Sequence, residues 1–256
     1  MKKILKWVSV NGKIILQEQA TVSVFDYGFL CGMGVFTTLK VREGVPLFFE
    51  KHVERLEKSV KQLFLTYSWI TFNDVINVIK KNKVQDGGVR ITITPNMRVI
   101  HAMEITKEVE SVSVITITDT RDQYKTLKMT YRVPHFLAQQ KAREQGVQDA
   151  LFVQNNFFVE STYANIFSLS SGKIITPPIE NRGLNGISRQ VLMEELPVEE
   201  KEIVKDTTDP MVLVSCLSMR VVEKIDRREI KQDRIFVEKI KNAMDKMERE
   251  YLSMNK

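Results

Sequence analysis

Apolar residues recur at helical spacing in four segments of the chain. Residues 47–65 place apolar side chains on one face and polar ones on the other, which predicts an amphipathic helix. The same spacing predicts helices near residues 73–83 and 134–145, the latter closed by Gly146, and a long helix near residues 233–252. A short helix is also predicted after the sequence NGIS, so helices are spread along the whole chain.

Alternation of apolar and polar residues marks the strands. The segments GGVRITIT and SVSVITIT alternate over most of their length, and MVLVSC is a shorter apolar run. Three further pairs of such runs are separated by residues that favour tight turns, which predicts β-hairpins. Their turns lie at Asn11-Gly12, at Asn155-Asn156 and at Ser171-Gly172. Because strands and helices are mixed irregularly, the predicted fold class is α+β, or mixed α/β.

A polar stretch, DTRDQ at residues 119–123, follows the second alternating strand and is predicted to be an interdomain linker. It separates an N-terminal α/β domain, residues 1–118, from a C-terminal α/β domain, residues 124–256. A chain of 256 residues is long enough for one large domain or two small ones. We therefore expect two lobes that meet near residue 120.

Composition and charge disfavour several classes of protein. The net charge of +6 comes from basic residues spread along the chain, which disfavours a nucleic-acid partner. No apolar run approaches the roughly 18 residues that a membrane-spanning helix needs, and the N-terminal segment lacks the apolar core of a signal peptide. Two cysteines do not make a disulfide framework. We expect a cytoplasmic protein without nucleic-acid or membrane partners, and no metal site is predicted.

Two features could bind an anion such as phosphate. Arg55 lies on the polar face of the first predicted helix, and a guanidinium matches a pair of phosphate oxygens. In LNGISR, Gly186 precedes a predicted helix whose first-turn amides and dipole favour negative charge. Each feature also has an ordinary structural interpretation, as a surface arginine and as a loop in which Ser188 is the N-cap.

Two further residues, Glu160 and Lys128, suggest the chemistry of an electron-sink cofactor. Glu160 ends a predicted strand, where a glutamate is usually solvated, but a buried glutamate beside a ring nitrogen would hold that nitrogen protonated. Lys128 precedes an apolar helix, and a lysine attacks a carbonyl only as the neutral amine, which burial or a nearby cation favours. An arginine, a helix N-terminus, a glutamate and a lysine together are the parts that hold pyridoxal phosphate, although their spacing alone does not fix the cofactor.

Six longer motifs occur in order between about Val8 and Asp226. They are VSVFDYGFLCGMGVFTTLKV, HVERLEKS, LKMTYRVPHFLAQQKAREQGVQDAL, VESTYANIF, TPPIENRGLNGISR and VSCLSMRVVEKID. In these motifs the chain resembles the fold-type IV pyridoxal-phosphate enzymes, or class IV aminotransferases, which include branched-chain and D-amino acid aminotransferases and 4-amino-4-deoxychorismate lyases. The resemblance implies a two-lobed fold like that of D-amino acid aminotransferase, a pyridoxal 5'-phosphate cofactor and a homodimer.

The resemblance also implies roles for individual residues. Arg55 matches the family's phosphate-binding arginine, and Glu160 matches the glutamate that pairs with the pyridine nitrogen. Ile187 and Ser188 match the residues whose backbone amides bind the phosphate. Thr162 lies in the turn that contacts the cofactor ring.

Two lysines, Lys125 and Lys128, lie near the position of the family's catalytic lysine. Counting back without gaps from Gly146 and Asp149 lands on Lys128, whereas Lys125 would require a three-residue insertion in a packed helix. We therefore assign the cofactor-binding lysine to Lys128 and expect Lys125 to be solvated.

Several positions depart from the family's pattern or bear on the substrate. Met33 and Thr37 replace an aspartate and a glutamate, and Leu217 replaces a hydroxyl residue near the phosphate. Phe29 occupies a position where D-amino acid aminotransferases carry a tyrosine that contacts the substrate. Arg98 is expected on a loop, where it could hold a substrate carboxylate or remain solvated.

The resemblance implies transamination of a small amino acid through a lysine Schiff base and a carbanion intermediate. If the same intermediate expels a β-substituent, the reaction is elimination, and on 4-amino-4-deoxychorismate it would release pyruvate and 4-aminobenzoate. A third alternative, which Met33 and Leu217 keep open, is a degenerate protein that binds the cofactor without catalysis.

Overall fold

The structure is a computed structural model of the chain. It describes residues 4–65, 69–105, 110–180 and 182–255. The chain divides into two compact units. The first comprises Met1–Lys107, Leu127–Tyr131 and Glu250–Lys256, and the second comprises Glu108–Thr126 and Arg132–Arg249.

Within the described residues, the first unit holds a six-stranded sheet and three complete helices. Its strands are β1 (Ile4–Val10), β2 (Lys13–Leu16), β3 (Val35–Arg42), β4 (Val45–Pro46), β5 (Gly87–Ile93) and β6 (Arg98–Met103). Its helices are α1 (Tyr27–Cys31), α2 (Phe49–Gln62) and α3 (Phe72–Lys81). The strand order is β2-β1-β6-β5-β3-β4, and each neighbouring pair is antiparallel.

One face of this sheet packs against α2 and α3. Leu39 of β3 and Ile91 of β5 are fully buried in a cluster with Leu56 and Val60 of α2 and Val78 of α3. Burial of a side chain of this size contributes about 1.5–3 kcal/mol to stability. Because side chains alternate along a strand, the intervening residues of β3 and β5 lie on the opposite face of the sheet.

The part of the second unit that the structure describes holds a nine-stranded sheet and three helices. The strands are β7 (Ser111–Thr118), β8 (Asp149–Gln154), β9 (Phe157–Ser161), β10 (Asn165–Ser170), β11 (Lys173–Thr176), β12 (Val198–Glu200), β13 (Met211–Val214), β14 (Met219–Ile225) and β15 (Arg228–Glu229). The helices are α4 (Val133–Glu144), α5 (Ile187–Glu195) and α6 (Arg234–Met254), whose end belongs to the first unit. The order is β12-β11-β10-β13-β14-β7-β8-β9, and β15 pairs with β14.

Helices cover two regions of this second sheet. Leu192 of α5 and Ile240 of α6 pack with Phe167 of β10 in one cluster. Ala142 of α4 packs with Phe152 of β8 in another. The small side chain of Ala142 lets α4 lie close to β8.

The predicted mixed α/β class is confirmed, and the predicted helices lie within a few residues of the observed ones. The three predicted hairpins also turn at the expected residues, since Val10 pairs with Lys13, Gln154 with Phe157 and Ser170 with Lys173. Among the described residues, no helix combines the length and the apolar character that crossing a membrane requires.

The boundary between the units differs from the predicted one. Strand β7 pairs with β8 and β14, so it belongs to the second unit and the change of unit precedes it. Residues 119–123 therefore do not form an interdomain linker, and the side chains of Asp119 and Arg121 are almost fully buried. A solvated linker and a buried network of ion pairs can have the same polar composition, so composition alone does not distinguish them. This explains why a linker is predicted at residues 119–123.

Candidate active site

Arg55 lies on α2 and reaches strand β3. Its Nη2 donates a hydrogen bond of 2.9 Å to the Thr37 hydroxyl, which shares another of 2.7 Å with Nδ1 of His52. Thr37 and His52 are almost fully buried. Thr37, where the resemblance leads one to expect a glutamate, thus orients the guanidinium of Arg55 without neutralising its charge.

Positive charge accumulates around His52. Burial, followed by the charges of Arg55 and Lys128, lowers the pKa of His52 well below its usual value. Both cations therefore act at the same place in the first unit. Such a concentration of positive charge is suited to a phosphate or another anion.

Lys128 lies in the short segment that returns to the first unit. Met129 pairs with Val35 of β3, and the Phe36 amide donates a hydrogen bond of 2.8 Å to the Lys128 carbonyl. This antiparallel register places Lys128 opposite Phe36, on the same face of the sheet. The Lys128 Nζ lies 5.1 Å from the centre of the Phe36 ring.

Lys125 is not solvated, so that prediction is wrong. Its Nζ lies 3.1 Å from Oδ2 of Asp119 and 3.0 Å from Oε1 of Gln154, and 5 % of its side chain is exposed. It belongs to the second unit, whereas Lys128 belongs to the first. Because its ammonium group is held by a buried carboxylate and an amide, Lys125 is a poor nucleophile.

Two departures from the family's pattern have structural explanations. Met33, in place of an aspartate, packs against the apolar core of the first unit. Leu217 lies in a turn where its amide donates a hydrogen bond of 3.3 Å to the Ser215 hydroxyl, which is 3.1 Å from the Ser218 hydroxyl. This turn therefore retains two hydroxyl groups beside Leu217.

Glu160 lies on β9 and is anchored through both carboxylate oxygens. Its Oε1 lies 2.6 Å from Nη1 of Arg121, and its Oε2 accepts a hydrogen bond of 3.2 Å from the Leu184 amide. Only 6 % of the residue is exposed. The carboxylate is thus fixed in position beside a cation.

Arg121, which the sequence analysis missed, is the centre of a buried network. In addition to Glu160 it binds Asp119, through Nε at 2.9 Å and Nη2 at 3.0 Å, and it stacks 3.9 Å from the ring centre of Phe152. Burial alone would raise the pKa of Asp119, but the hydrogen bonds and the charge of Arg121 hold it below its usual value. Burial likewise opposes a charged Arg121, but the two carboxylates raise its pKa.

His135 links Arg121 to the turn that follows Glu160. Its Nε2 lies 3.2 Å from Nη1 of Arg121 and 2.8 Å from Nη1 of Arg132. Because a guanidinium only donates, this Nε2 accepts both bonds and carries no proton. Nη2 of Arg132 then donates to the Thr162 carbonyl, so a continuous chain of hydrogen bonds supports the Glu160 region.

The hydroxyl of Thr162 is engaged in the interior of the second unit. It donates to Oδ1 of Asp149 and accepts from Nε2 of Gln139. Asp149 is fully buried and its Oδ2 lies 2.6 Å from Nη2 of Arg220. These contacts fix the turn, and a contact between Thr162 and a cofactor ring stays a prediction.

The first turn of α5 directly follows Gly186, which is its N-cap. A Cβ at Gly186 would collide with Oδ1 of Asn165, whose Nδ2 donates a hydrogen bond of 2.9 Å to the Leu184 carbonyl. Only glycine therefore fits there, and it offers no side chain to cap the helix. The first amides of the helix, those of Ile187 and Ser188, have no intrahelical acceptor, and such amides bind phosphate readily.

The two predicted substrate residues have different surroundings. Phe29 lies on α1 and is 64 % exposed. Arg98 begins strand β6 instead of lying on a loop, and its Nη1 donates a hydrogen bond of 2.7 Å to the Trp69 carbonyl and lies 4.0 Å from Oδ2 of Asp74. A role in substrate binding stays a prediction for both residues.

Acidification is expected to destabilise the chain through two buried imidazoles. Burial and the charge of Arg90 lower the pKa of His101 to about 4, and the pKa of His52 is also lowered. The unfolded chain then binds protons that the folded chain does not, so the free energy of unfolding falls as the pH drops from about 6.5 towards 4. Urea unfolding measures this free energy. Between pH 7 and pH 4.5, the free energy of unfolding of a His101→Gln variant should fall by about 2 kcal/mol less than that of the native chain. Equal losses would contradict this assignment.

Comparisons with known proteins identify relatives of this chain. The model of the family described as Amino-transferase class IV matches residues 34–221. A D-alanine aminotransferase from Staphylococcus haemolyticus is 24% identical over 255 residues, which is 87% of this chain and 90% of that protein. An aminodeoxychorismate lyase from Bacillus subtilis is 24% identical over 213 residues, or 73% and 72% of the two chains. The structure of a branched-chain aminotransferase from Thermoproteus uzoniensis with norvaline covers 98% of both chains at 21% identity, with a TM-score of 0.87.

The segment that matches the family model contains the main candidate residues, which are Arg55, Lys128, Glu160, Ile187 and Ser188. It spans more than half of the chain, and the structural likeness extends over nearly all of it. The chain therefore belongs to the class IV aminotransferase family.

Proposed function

We propose that this enzyme is a pyridoxal-phosphate-dependent aminotransferase of a small amino acid, and that Lys128 carries the cofactor. When bound, pyridoxal phosphate draws electrons from the carbon that bears the substrate's amino group. Lys128 would hold the cofactor through Nζ, and its amine, when not engaged in that link, would accept the proton from that carbon as a general base.

The position of Lys128 in the first unit is the observation that carries this proposal. Its backbone is held by β3, and its Nζ lies beside Phe36 and close enough to His52 for its charge to act on that imidazole. The cation of Arg55 acts on the same imidazole. The two side chains thus place a lysine amine and a guanidinium fork beside the same buried imidazole.

Each unit, taken by itself, contains donors of the kind that bind a phosphate group. Arg55 supplies a planar fork whose orientation Thr37 fixes. Ile187 and Ser188 supply first-turn amides, and Gly186 leaves room for an anion to approach the backbone. Arg55 in the first unit and, separately, the Ile187 and Ser188 amides in the second unit are therefore our candidates for phosphate-binding groups.

Glu160 fits the pyridine nitrogen of the cofactor. A carboxylate beside a ring nitrogen keeps that nitrogen protonated, which strengthens the electron sink. Arg121 and the Leu184 amide each hold one oxygen of Glu160, so its direction is fixed before any ligand binds. We therefore assign Arg121 as a positioning residue that acts through Glu160.

Replacing Gly186 with alanine is expected to weaken binding of pyridoxal phosphate by about 10-fold, or ~1.4 kcal/mol. The new methyl group would collide with Asn165 Oδ1 and displace the backbone at the start of α5. Titration of the purified protein with pyridoxal phosphate, followed by its visible absorption, gives the dissociation constant.

The control is a double-mutant cycle with Asn165→Ala. Removing the Asn165 side chain relieves the collision, so adding Gly186→Ala to Asn165→Ala should change the dissociation constant less than about 2-fold. An equal loss in both backgrounds would show that Gly186 does not act through this contact.

Aminodeoxychorismate lyase is the second candidate activity. A relative from Bacillus subtilis that matches 73% of this chain carries that name. The two reactions have the same first proton transfer at Lys128 and differ in what leaves the substrate afterwards.

The experiment that tests both activities begins with the purified protein and pyridoxal phosphate. A visible band at roughly 410–430 nm is expected when the cofactor is bound to a lysine. An aminotransferase loses this band when D-alanine, L-alanine or a branched-chain amino acid is added, whereas a lyase releases 4-aminobenzoate from 4-amino-4-deoxychorismate. A protein that forms no band would contradict the proposal.

The enzyme is further expected to form a homodimer. Each unit exposes several large apolar side chains, and exposed apolar surface is typical of protein interfaces. They are Val22, Val24, Phe25, Tyr27, Phe29 and Leu30 in the first unit and Val133, Phe136, Leu137 and Tyr163 in the second. Light scattering after gel filtration should give twice the chain mass of 29.6 kDa, and a mass of one chain at micromolar concentration would contradict a dimer.

A further inference from the structure

Asp119 is a buried carboxylate directly after β7, and it is held in place by the neighbouring strand. Its amide donates a hydrogen bond of 2.7 Å to the Val153 carbonyl of β8, and none of its side chain is exposed. Its Oδ1 accepts hydrogen bonds from Nε of Arg121 at 2.9 Å and from the Arg121 amide at 3.1 Å, and its Oδ2 accepts one of 3.0 Å from Nη2. Together with stacking on Phe152, these bonds fix the plane of the Arg121 guanidinium.

Lys125 contacts the same carboxylate. Its Nζ lies 3.1 Å from Oδ2 of Asp119 and 3.0 Å from Oε1 of Gln154. Arg121 in turn lies 2.6 Å from Glu160. These contacts make a row of buried charges that alternate in sign, which we call the charge row and which runs from Lys125 through Asp119 and Arg121 to Glu160. The side chains of all its members are at most 7% exposed.

Helix α4 and the residue before it also face the charge row. Nε2 of His135 accepts hydrogen bonds from Arg121 and Arg132, so this imidazole adds no positive charge. Arg132 also donates to the Thr162 carbonyl. Arg132 therefore adjoins the charge row through a neutral ring, whereas Arg121 contacts Glu160 directly.

The Asp119 carboxylate is charged at neutral pH. Burial acts to raise its pKa, but the hydrogen bonds and charge of Arg121, followed by the hydrogen bond of Lys125, hold the pKa below its usual value. The contributions of Arg121 are larger than that of Lys125. Asp119 is therefore expected to stay charged when Lys125 is replaced.

Arg121 by itself would oppose the positive charge that Glu160 is proposed to stabilise. A guanidinium and a protonated ring nitrogen carry like charges, so each disfavours the other when both share one carboxylate. Asp119 offsets the charge of Arg121 from a different edge of the guanidinium, and Lys125 offsets part of the charge of Asp119. The charge row thus keeps the hydrogen bond from Arg121 to Glu160 while reducing the effect of its cation on a ligand.

We propose that Asp119 and Lys125 are positioning residues that set how strongly Glu160 holds a proton on the ring nitrogen of the cofactor. This inference rests on the proposed function and deepens it, since it adds two residues that act through Arg121. It assigns opposite effects to the partners of one ion pair, because Asp119 favours the protonated nitrogen and Lys125 disfavours it. A merely structural pair would give no such opposition, since removing either partner breaks the same contact.

The test measures the pH at which the ring nitrogen loses its proton. Nitrogen-15 NMR of the protein loaded with nitrogen-15-labelled pyridoxal phosphate follows this proton directly and requires no turnover. In Asp119→Asn the midpoint of the titration should fall by about 1 pH unit, and in Lys125→Met it should rise by about 0.5 unit. The double variant should lie between the two single variants.

Asp122→Asn is the matched control. Asp122 follows Arg121 in the sequence and undergoes the same change of charge, but it is exposed, and its Oδ1 accepts a hydrogen bond of 2.9 Å from the Tyr124 amide. Because solvent screens an exposed charge, this variant should leave the midpoint within about 0.2 unit of the native value.

Shifts of the same sign in Asp119→Asn and Lys125→Met, or spectra that do not differ among the native protein and the variants at any pH, would overturn the roles of both residues. Removing one partner of a buried ion pair also lowers stability. If Asp119→Asn does not fold, as judged by circular dichroism, the double variant decides, since its midpoint must lie about 1 unit below that of Lys125→Met. A native protein that forms no visible band would instead overturn the proposed function, which separates the two failures.

Discussion

A Lys128→Ala variant is expected to lose the visible band of bound pyridoxal phosphate and to turn over substrate at least about 10³-fold more slowly. The variant lacks the only group at this position that can bind the cofactor covalently and then act on the substrate proton. Its fold should be preserved, because the Lys128 segment is held on β3 through backbone hydrogen bonds. Absorption spectra and steady-state rates measure both effects.

Two matched variants make this result specific. Lys128→Arg keeps the positive charge near His52 but should be as inactive as the alanine variant, because a guanidinium does not form the covalent link. Lys125→Arg keeps the cation beside Asp119 and should retain the band and most of the activity. Activity in Lys128→Ala together with its loss in Lys125→Arg would reverse the assignment of the two lysines.

A Glu160→Gln variant is expected to lower turnover by about 10²- to 10³-fold while leaving the covalent attachment at Lys128 intact. Glutamine nearly preserves the shape of the side chain but removes the charge that would keep the pyridine nitrogen protonated. It also leaves Arg121 with Asp119 as its remaining carboxylate partner. The dissociation constant of the cofactor should change less than the turnover number, since the phosphate contacts are unaffected.

The control for Glu160→Gln is Glu202→Gln. Glu202 forms a partly exposed ion pair with Arg182, and such pairs contribute little to stability. This variant should keep native turnover and a native melting temperature. If Glu160→Gln also kept native turnover, Glu160 would not be the partner of the ring nitrogen.

The fold could be predicted from the sequence where the apolar pattern decides it. Helix α2 follows from the helical spacing of its apolar residues, and the turn at Asn155-Asn156 follows from residues that favour tight turns. Both lie where the sequence predicts them. The boundary between the units could not be predicted in this way, because it depends on the pairing of β7 with β14, more than 100 residues away. Long-range pairing leaves no local signal in a single sequence.

The candidate site could be predicted in part. Motifs indicate Lys128 and Glu160 as candidates, whereas the short polar stretch that contains Asp119 and Arg121 predicts a solvated linker, because charged residues in such a stretch are usually exposed. Lys125 is likewise expected to be solvated, which its buried ion pair with Asp119 contradicts.

The covalent site can be located directly by reducing the protein loaded with pyridoxal phosphate with borohydride and mapping its peptides by mass spectrometry. Reduction makes the link to the lysine permanent, so the modified residue can be identified. The account predicts a single pyridoxyl group on Lys128 and none on Lys125. A pyridoxyl group on Lys125 or on another lysine, or no modified peptide at all, would contradict it.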